Sequence, residues 1–184
     1  MARSAAAAAA AAHDYAAPDT LVVSGAAQLR ALGDEVRGRI VALLRERARS
    51  ASELAELLGM PKGTVGHHVK VLERAGLIHV VRTRQVRAVT EKYYGRVARL
   101  FILEGDDEEL VHGAGATALR VAAAELAAAS EVAMHALLRV RLDPVAVRRF
   151  NKRLDKLVAD VRAAETPEGE PWAVATAMYA LRDA

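Results

Sequence analysis

The sequence has no cysteine. That removes a disulfide framework, a thiolate metal site and a cysteine nucleophile, and it suits a reducing compartment. No apolar run approaches the ~18 residues needed to cross a bilayer. The N-terminus carries eight alanines behind Arg3 but no Leu or Val core, so it makes a poor secretory signal. Also missing are a Gly-rich phosphate loop, a Ser in a nucleophile-elbow pattern, a metal-ligand set and a clustered acid pair. An enzyme is therefore not expected. Aromatics are only 4% of the chain, whereas 53% is hydrophobic and 27% charged. Roughly one residue in five is Ala, which favours helices packed closely on thin side chains. The 184 residues suffice for one domain with a large appendage or for two small ones. The composition predicts a soluble, cytoplasmic, mainly helical protein without a membrane partner.

Charge divides the chain. Residues 1–25 carry −1; residues 26–103 hold 15 Lys/Arg against 7 Asp/Glu, giving +8; residues 104–184 hold 10 against 14, giving −4. A basic half beside an acidic one suggests that the first meets a polyanion, although uneven surface charge alone gives the same pattern.

Periodicity then places the elements. Met1–Pro18 reads as a low-complexity disordered tail. A helix is predicted from Ser24 to Leu32, stopped at Gly33, and a second over Asp34–Arg47 with Val36, Ile40, Leu43 and Leu44 on one stripe. Ser50-Ala51-Ser52-Glu53 has capping-box spacing and opens a short helix with Leu54, Leu57 and Leu58 inward, closed by Gly59. Met60-Pro61 makes a corner, and a third helix runs from Lys62 to Ala75, ended by Gly76. Two short helices joined by a Gly-containing turn have the form of a helix-turn-helix. Leu77–Thr83 and Val86–Thr90 change to β-branched composition around Arg84-Gln85 and predict a hairpin. Asp106–Glu109 crowd the start of a further helix, which Gly113 and Gly115 are expected to interrupt. A long Ala-rich helix is expected over Ala116–Arg141, another from Pro144 to about Ala164, and a strand over Trp172–Leu181.

At 100° per residue, Val65, Val69 and Leu72 form the buried stripe of the third helix. The opposite face carries Gly63, His67, Lys70 and Arg74, with Thr64 and Gly66 at its edges. An apolar back, small residues and outward donors suit a helix lying in the major groove, although any amphipathic helix has a polar outer face. Lys62 and Thr64, beside free backbone N–H groups, suit a phosphate. His67 faces outward, whereas His68 lies nearer the apolar stripe and reads as a structural hydrogen-bonding residue. Arg82, Arg84 and Arg87 sit near the hairpin tip, as a minor-groove or phosphate wing or as protection of an edge strand.

Residues Ala31–Phe101 resemble the winged-helix domain of ArsR-type transcriptional repressors. The resemblance rests on Met60-Pro61-Lys62-Gly63-Thr64-Val65-Gly66-His67-His68-Val69-Lys70-Val71-Leu72-Glu73-Arg74-Ala75-Gly76-Leu77-Ile78, on the Val81–Arg87 wing and on Glu91-Lys92-Tyr93-Tyr94. It implies a dimeric, cytoplasmic regulator that binds double-stranded DNA with its recognition helix in the major groove. One departure is Gly66, where the family has a Ser that contacts DNA.

The family also implies metal sensing through Cys or through His and carboxylates on the C-terminal helix. Glu131 and His135 lie four apart and a symmetric dimer could double them into a site, but an i,i+4 surface ion pair is the preferred reading, and neither metal nor cofactor is expected. Leu119, Leu126, Leu137 and Val140, with intervening alanines, make an apolar face for close helix pairing, hence a homodimer. Phe150, Trp172, Met178 and Tyr179 complete a core or line a pocket for a small-molecule effector. The expected organisation is mainly α (α+β): a tail over 1–18, a winged helix-turn-helix DNA-binding domain over 19–103, and a helical dimerisation and effector region over 104–184. The function expected is a sequence-specific regulator, a dimeric repressor under a non-metal signal. The alternative is a winged helix that binds only protein.

Overall fold

The computed structural model describes residues 14–45, 47–86, 88–134, 136–166 and 169–181. Within them the order is β1 (Thr20–Val23), α1 (Ala26–Leu32), α2 (Glu35–Leu43), β2 (Arg49–Ser50), α3 (Ala51–Leu58), α4 (Lys62–Arg74), β3 (Ile78–Val86), β4 (Val89–Arg96), β5 (Leu100–Leu103), α5 (Glu108–Ala127) and α6 (Pro144–Ala163). The architecture is mainly α with two small sheets, as the sequence predicts.

Local chemistry sets each helix end. The Asp34 side chain accepts from the Arg37 amide and starts α2. Arg37 turns back onto α1. Its Nε donates to the Ala31 carbonyl at 2.6 Å and its Nη2 to that of Arg30 at 3.0 Å, satisfying the end of α1. The reciprocal capping box at α3 forms as its spacing requires: Ser50 Oγ accepts from Glu53 N, and Glu53 accepts from Ser50 N at 2.7 Å. Gly59 and Gly76 take the left-handed conformation that ends α3 and follows α4 (φ 63° and 68°), which a side chain disfavours.

Leu29, Ile40, Leu44, Leu54, Val65, Val69, Leu72, Leu77 and Ile78 are buried together, so α1–α4 close over one core. Leu57 is an exception to its expected inward position, being 49% exposed. The second helix ends at Leu43 and not at Arg47, because the chain turns there to reach β2.

The three-stranded sheet has the order β2-β4-β3, all antiparallel. Arg84 and Gln85 lie inside β3, paired with Glu91 and Thr90, so the strands stay paired past the expected turn at 84–85 as far as Val86 opposite Val89. Without an Asn-Gly signal nothing in the sequence pinned that turn, and the ribbon runs longer. A register shift between Val80 and Arg82 falls opposite Tyr94 and Tyr93, the two β4 residues that also pair with β2. A second sheet, β1 parallel to β5 with Thr20 opposite Leu100 and Val23 opposite Leu103, was not foreseen.

The helix α5 packs on α1 and α2. Ala114 and Thr117 are buried, and Thr117 Oγ1 donates to the Gly33 carbonyl at 3.1 Å. Gly38 permits the close approach, since a Cβ there would lie 3.2 Å from Val121 and 3.3 Å from Thr117. Gly113 and Gly115 do not interrupt this helix, because neighbouring side chains tie it to the core; its end at Ala127 falls well short of Arg141. An Ala-rich stretch with nothing to pack on gains little from propensity alone. Nor is Trp172–Leu181 a strand: no partner strand meets it among the described residues, and alternation alone does not make one. Phe150 lies on α6 with Arg149 and Arg153 against its ring, while Trp172, Met178 and Tyr179 are exposed, so these residues do not close a core within the single chain. Among the described residues no helix is long and apolar enough to cross a membrane.

Candidate nucleic-acid interface

The outward surface of α4 follows from its buried back. With Val65, Val69 and Leu72 turned into the core, Lys62, Gly63, Thr64, His67, Lys70 and Arg74 are exposed and Gly66 is half-buried. Neither Gly63 nor Gly66 has a neighbour within 4 Å of the position a Cβ would take, so both leave open space on the helix surface. His67 and His68 separate as their angles predict. His67 is exposed, whereas His68 is 15% exposed with its Nδ1 3.7 Å from Asp34 Oδ1. At that distance no hydrogen bond forms, and Nδ1 is buried without a hydrogen-bond partner among the described residues, so the hydrogen bond expected of His68 is not made at this atom.

The wing stands beside this helix. A cleft of about 500 Å³ opens between them, lined by Ser52, Lys62, Thr90, Glu91, Lys92 and Tyr94 among others. Its basic groups come from both walls. Glu91 is the acidic residue in this lining; hydrogen bonding from Ser50, then from Ser52 and Tyr93, with the charge of Lys62, holds its carboxyl below the ordinary carboxylate range. It thereby joins the wing to α3 and to the first turn of α4.

The wing arginines are not alike. Arg84 is exposed on β3 with its backbone opposite Glu91. Arg82 is drawn aside: its guanidinium lies 4.9 Å from the Tyr93 ring centroid and 2.8 Å from Asp14 Oδ2. Arg87 lies outside the described residues, as does His135, the expected partner of Glu131.

Sequence reasoning missed the end of the N-terminal segment. The expected tail through residue 13 lies outside the described residues, but Asp14 and Tyr15 are built into the fold. Asp14 Oδ1 accepts from the Ala48 amide at 2.6 Å, while its other oxygen meets Arg82. Tyr15 donates its hydroxyl hydrogen to the Leu44 carbonyl and accepts from the Arg96 amide at 3.0 Å, and its ring fills the space over Gly95. The contrast between eight alanines and the following Asp-Tyr was the one available signal.

Residues 32–81 match the family described as helix-turn-helix domain. No curated protein matches the chain. Among solved structures the chain is similar to HlyU from Vibrio cholerae N16961, at 26% identity over 38% of this chain and 71% of that one, with a TM-score of 0.32. It is also similar to the homodimeric winged helix-turn-helix DNA-binding domain of Mb0332 from Mycobacterium bovis, a possible ArsR-family regulator. There the identity is 21%, over 58% of this chain and 85% of that one, with a TM-score of 0.35. A mutant of S. aureus MepR bound to an oligodeoxyribonucleotide shares 15% identity over 73% of this chain and 78% of that one, at a TM-score of 0.28. The matched residues span the helix pair and its turn, the β3–β4 ribbon follows directly, and the chain therefore carries a winged helix-turn-helix domain.

Proposed function

We propose that this protein is an ArsR-type transcription regulator that binds double-stranded DNA sequence-specifically as a dimer. The observation that carries the reading is the exposed donor face of α4 (Lys62, Thr64, His67, Lys70, Arg74) standing beside a basic wing across one open cleft. Donors on a helix with small residues at its surface match what a major groove demands, and Arg84 on the ribbon suits phosphate or minor-groove contact. Residues 19–103 would hold the DNA-binding unit. Residues 104–184 would supply the two-fold partner and receive a non-metal effector whose signal releases repression. Gly66, in place of the family's Ser, removes a DNA contact and leaves base choice to its neighbours.

Fluorescence anisotropy with random and with pool-selected duplexes tests this. The expected result is binding to random DNA at low salt, tighter binding to selected duplexes, and a steep fall in affinity as salt rises, because neutralised phosphates release counterions. Absence of binding at low salt would leave the protein-only winged helix as the reading.

A further inference from the structure

Away from the cleft, on the other side of the wing's base, Arg45, Arg96 and Arg99 converge with Tyr15, Ala17 and Ala98 around a small cavity of about 10 Å³. Arg45 and Arg99 each have a carboxylate in reach: Glu125 at 3.5 Å and Glu165 at 3.7 Å. Arg96 differs. It is 92% buried (8% exposed), and its Nε is enclosed without a hydrogen-bond acceptor among the described residues. Its guanidinium lies 4.5 Å from the centroid of the Phe101 ring. Burial, with the neighbouring Arg45 charge, lowers its pKa to about 10, which still leaves it charged at neutral pH. Tyr15 supplies no compensating negative charge, since burial raises its phenol above the ordinary value.

A buried guanidinium whose Nε has no acceptor is costly to fold, and replacing such a group by an apolar one is ordinarily neutral or favourable. The arrangement makes sense when an anion completes it. A volume of this size holds about one water-sized atom, so a single oxygen enters while the rest of the ion faces outward between Arg45 and Arg99. We infer that the cavity bounded by Arg45, Arg96 and Arg99 is a binding site for a small oxyanion, a phosphate or carboxylate group that seats one oxygen against the buried Arg96. The inference stands apart from the DNA reading, because none of these three arginines lines the recognition cleft.

The test is thermal unfolding of the full chain in sodium phosphate, in sodium acetate and in sodium chloride at equal ionic strength. Lys70→Ala/Arg84→Ala serves as the control for anions held by the DNA-binding face. The expected result is a Tm higher by about 2–8 °C in phosphate or acetate than in chloride. The rise persists in Lys70→Ala/Arg84→Ala and disappears in Arg96→Met, which in chloride is at least as stable as the parent chain. Whichever oxyanion gives the larger rise identifies the group the site takes. No rise over chloride, or a rise undiminished in Arg96→Met, overturns the inference. If Arg96→Met does not fold, Arg45→Met is read by the same criteria, because Arg45 lines the same cavity but is partly exposed.

Discussion

At the scale of single residues, roles differ by what each side chain faces. Lys70 lies mid-face on the recognition helix and Arg84 on the ribbon. Lys70→Ala should cost about 1–3 kcal/mol on the selected duplex and blur base preference, whereas Arg84→Ala should weaken all duplexes alike. Anisotropy on matched and scrambled duplexes reads the difference; equal losses on every sequence for both would remove Lys70 from base recognition. Glu91 has a pH consequence. Its folded-state pKa is depressed, chiefly by hydrogen bonding from Ser50, so its stabilisation is full above the unfolded value near 4.5 and is lost as pH falls through the folded one. Denaturant midpoints between pH 6 and pH 3 should therefore fall less in Glu91→Gln than in the parent chain. Gly95 is a third case, because a Cβ there would sit 2.7 Å from the Tyr15 ring. Gly95→Ala should lose about 1–3 kcal/mol by urea unfolding, and an unchanged midpoint would mean that Tyr15 does not occupy that place. The recognition face was readable from sequence because helical period alone sorts Val65, Val69 and Leu72 from Lys70 and Arg74. Tyr15 was not, since its partners Leu44 and Arg96 lie 29 and 81 residues away.

At the scale of elements, ends proved more predictable than lengths. Ser50, Gly59 and Gly76 mark boundaries through local chemistry, and those boundaries stand. Ser50 does double duty, capping α3 and hydrogen bonding toward Glu91 on β4. Ser50→Ala should thus cost about 1–2 kcal/mol, at the upper end for a lost cap, measurable as a lower urea midpoint. An effect below 0.5 kcal/mol would argue against the link to the wing. Where an element depends on distant support, local signals misled. The ribbon turn moved because no residue pinned it, α5 ran through two glycines because Thr117 and Val121 hold it against α1 and α2, and the alternating Trp172–Leu181 stretch stayed irregular for want of a partner. The β1–β5 pairing was invisible for a related reason: parallel strands so far apart in sequence carry no hairpin signature.

At the scale of the molecule, the charge partition is the ground for the division of labour proposed for the two halves, and the core of α1–α4 was readable from hydrophobic period. Less readable was how much apolar surface α5 and α6 leave outward. Leu126 and Leu157 are 51% and 47% exposed, and Val161 is 42% exposed. Under the dimer reading, those faces meet a second copy. Leu126→Glu/Leu157→Glu should sediment as a monomer with unchanged helical circular dichroism and bind the selected duplex at least tenfold more weakly. A variant that remains dimeric would place the two-fold contact elsewhere.

The parallel seam between Thr20–Val23 and Leu100–Leu103 also bears on where this protein can be cut. A fragment trimmed to the helix-turn-helix match at 32–81 forfeits the seam, the β4 backing of its wing and the Tyr15 plug, although every outward side chain of α4 stays in it. A unit that keeps these contacts begins no later than Asp14 and runs through at least Leu103, well beyond both ends of the matched segment.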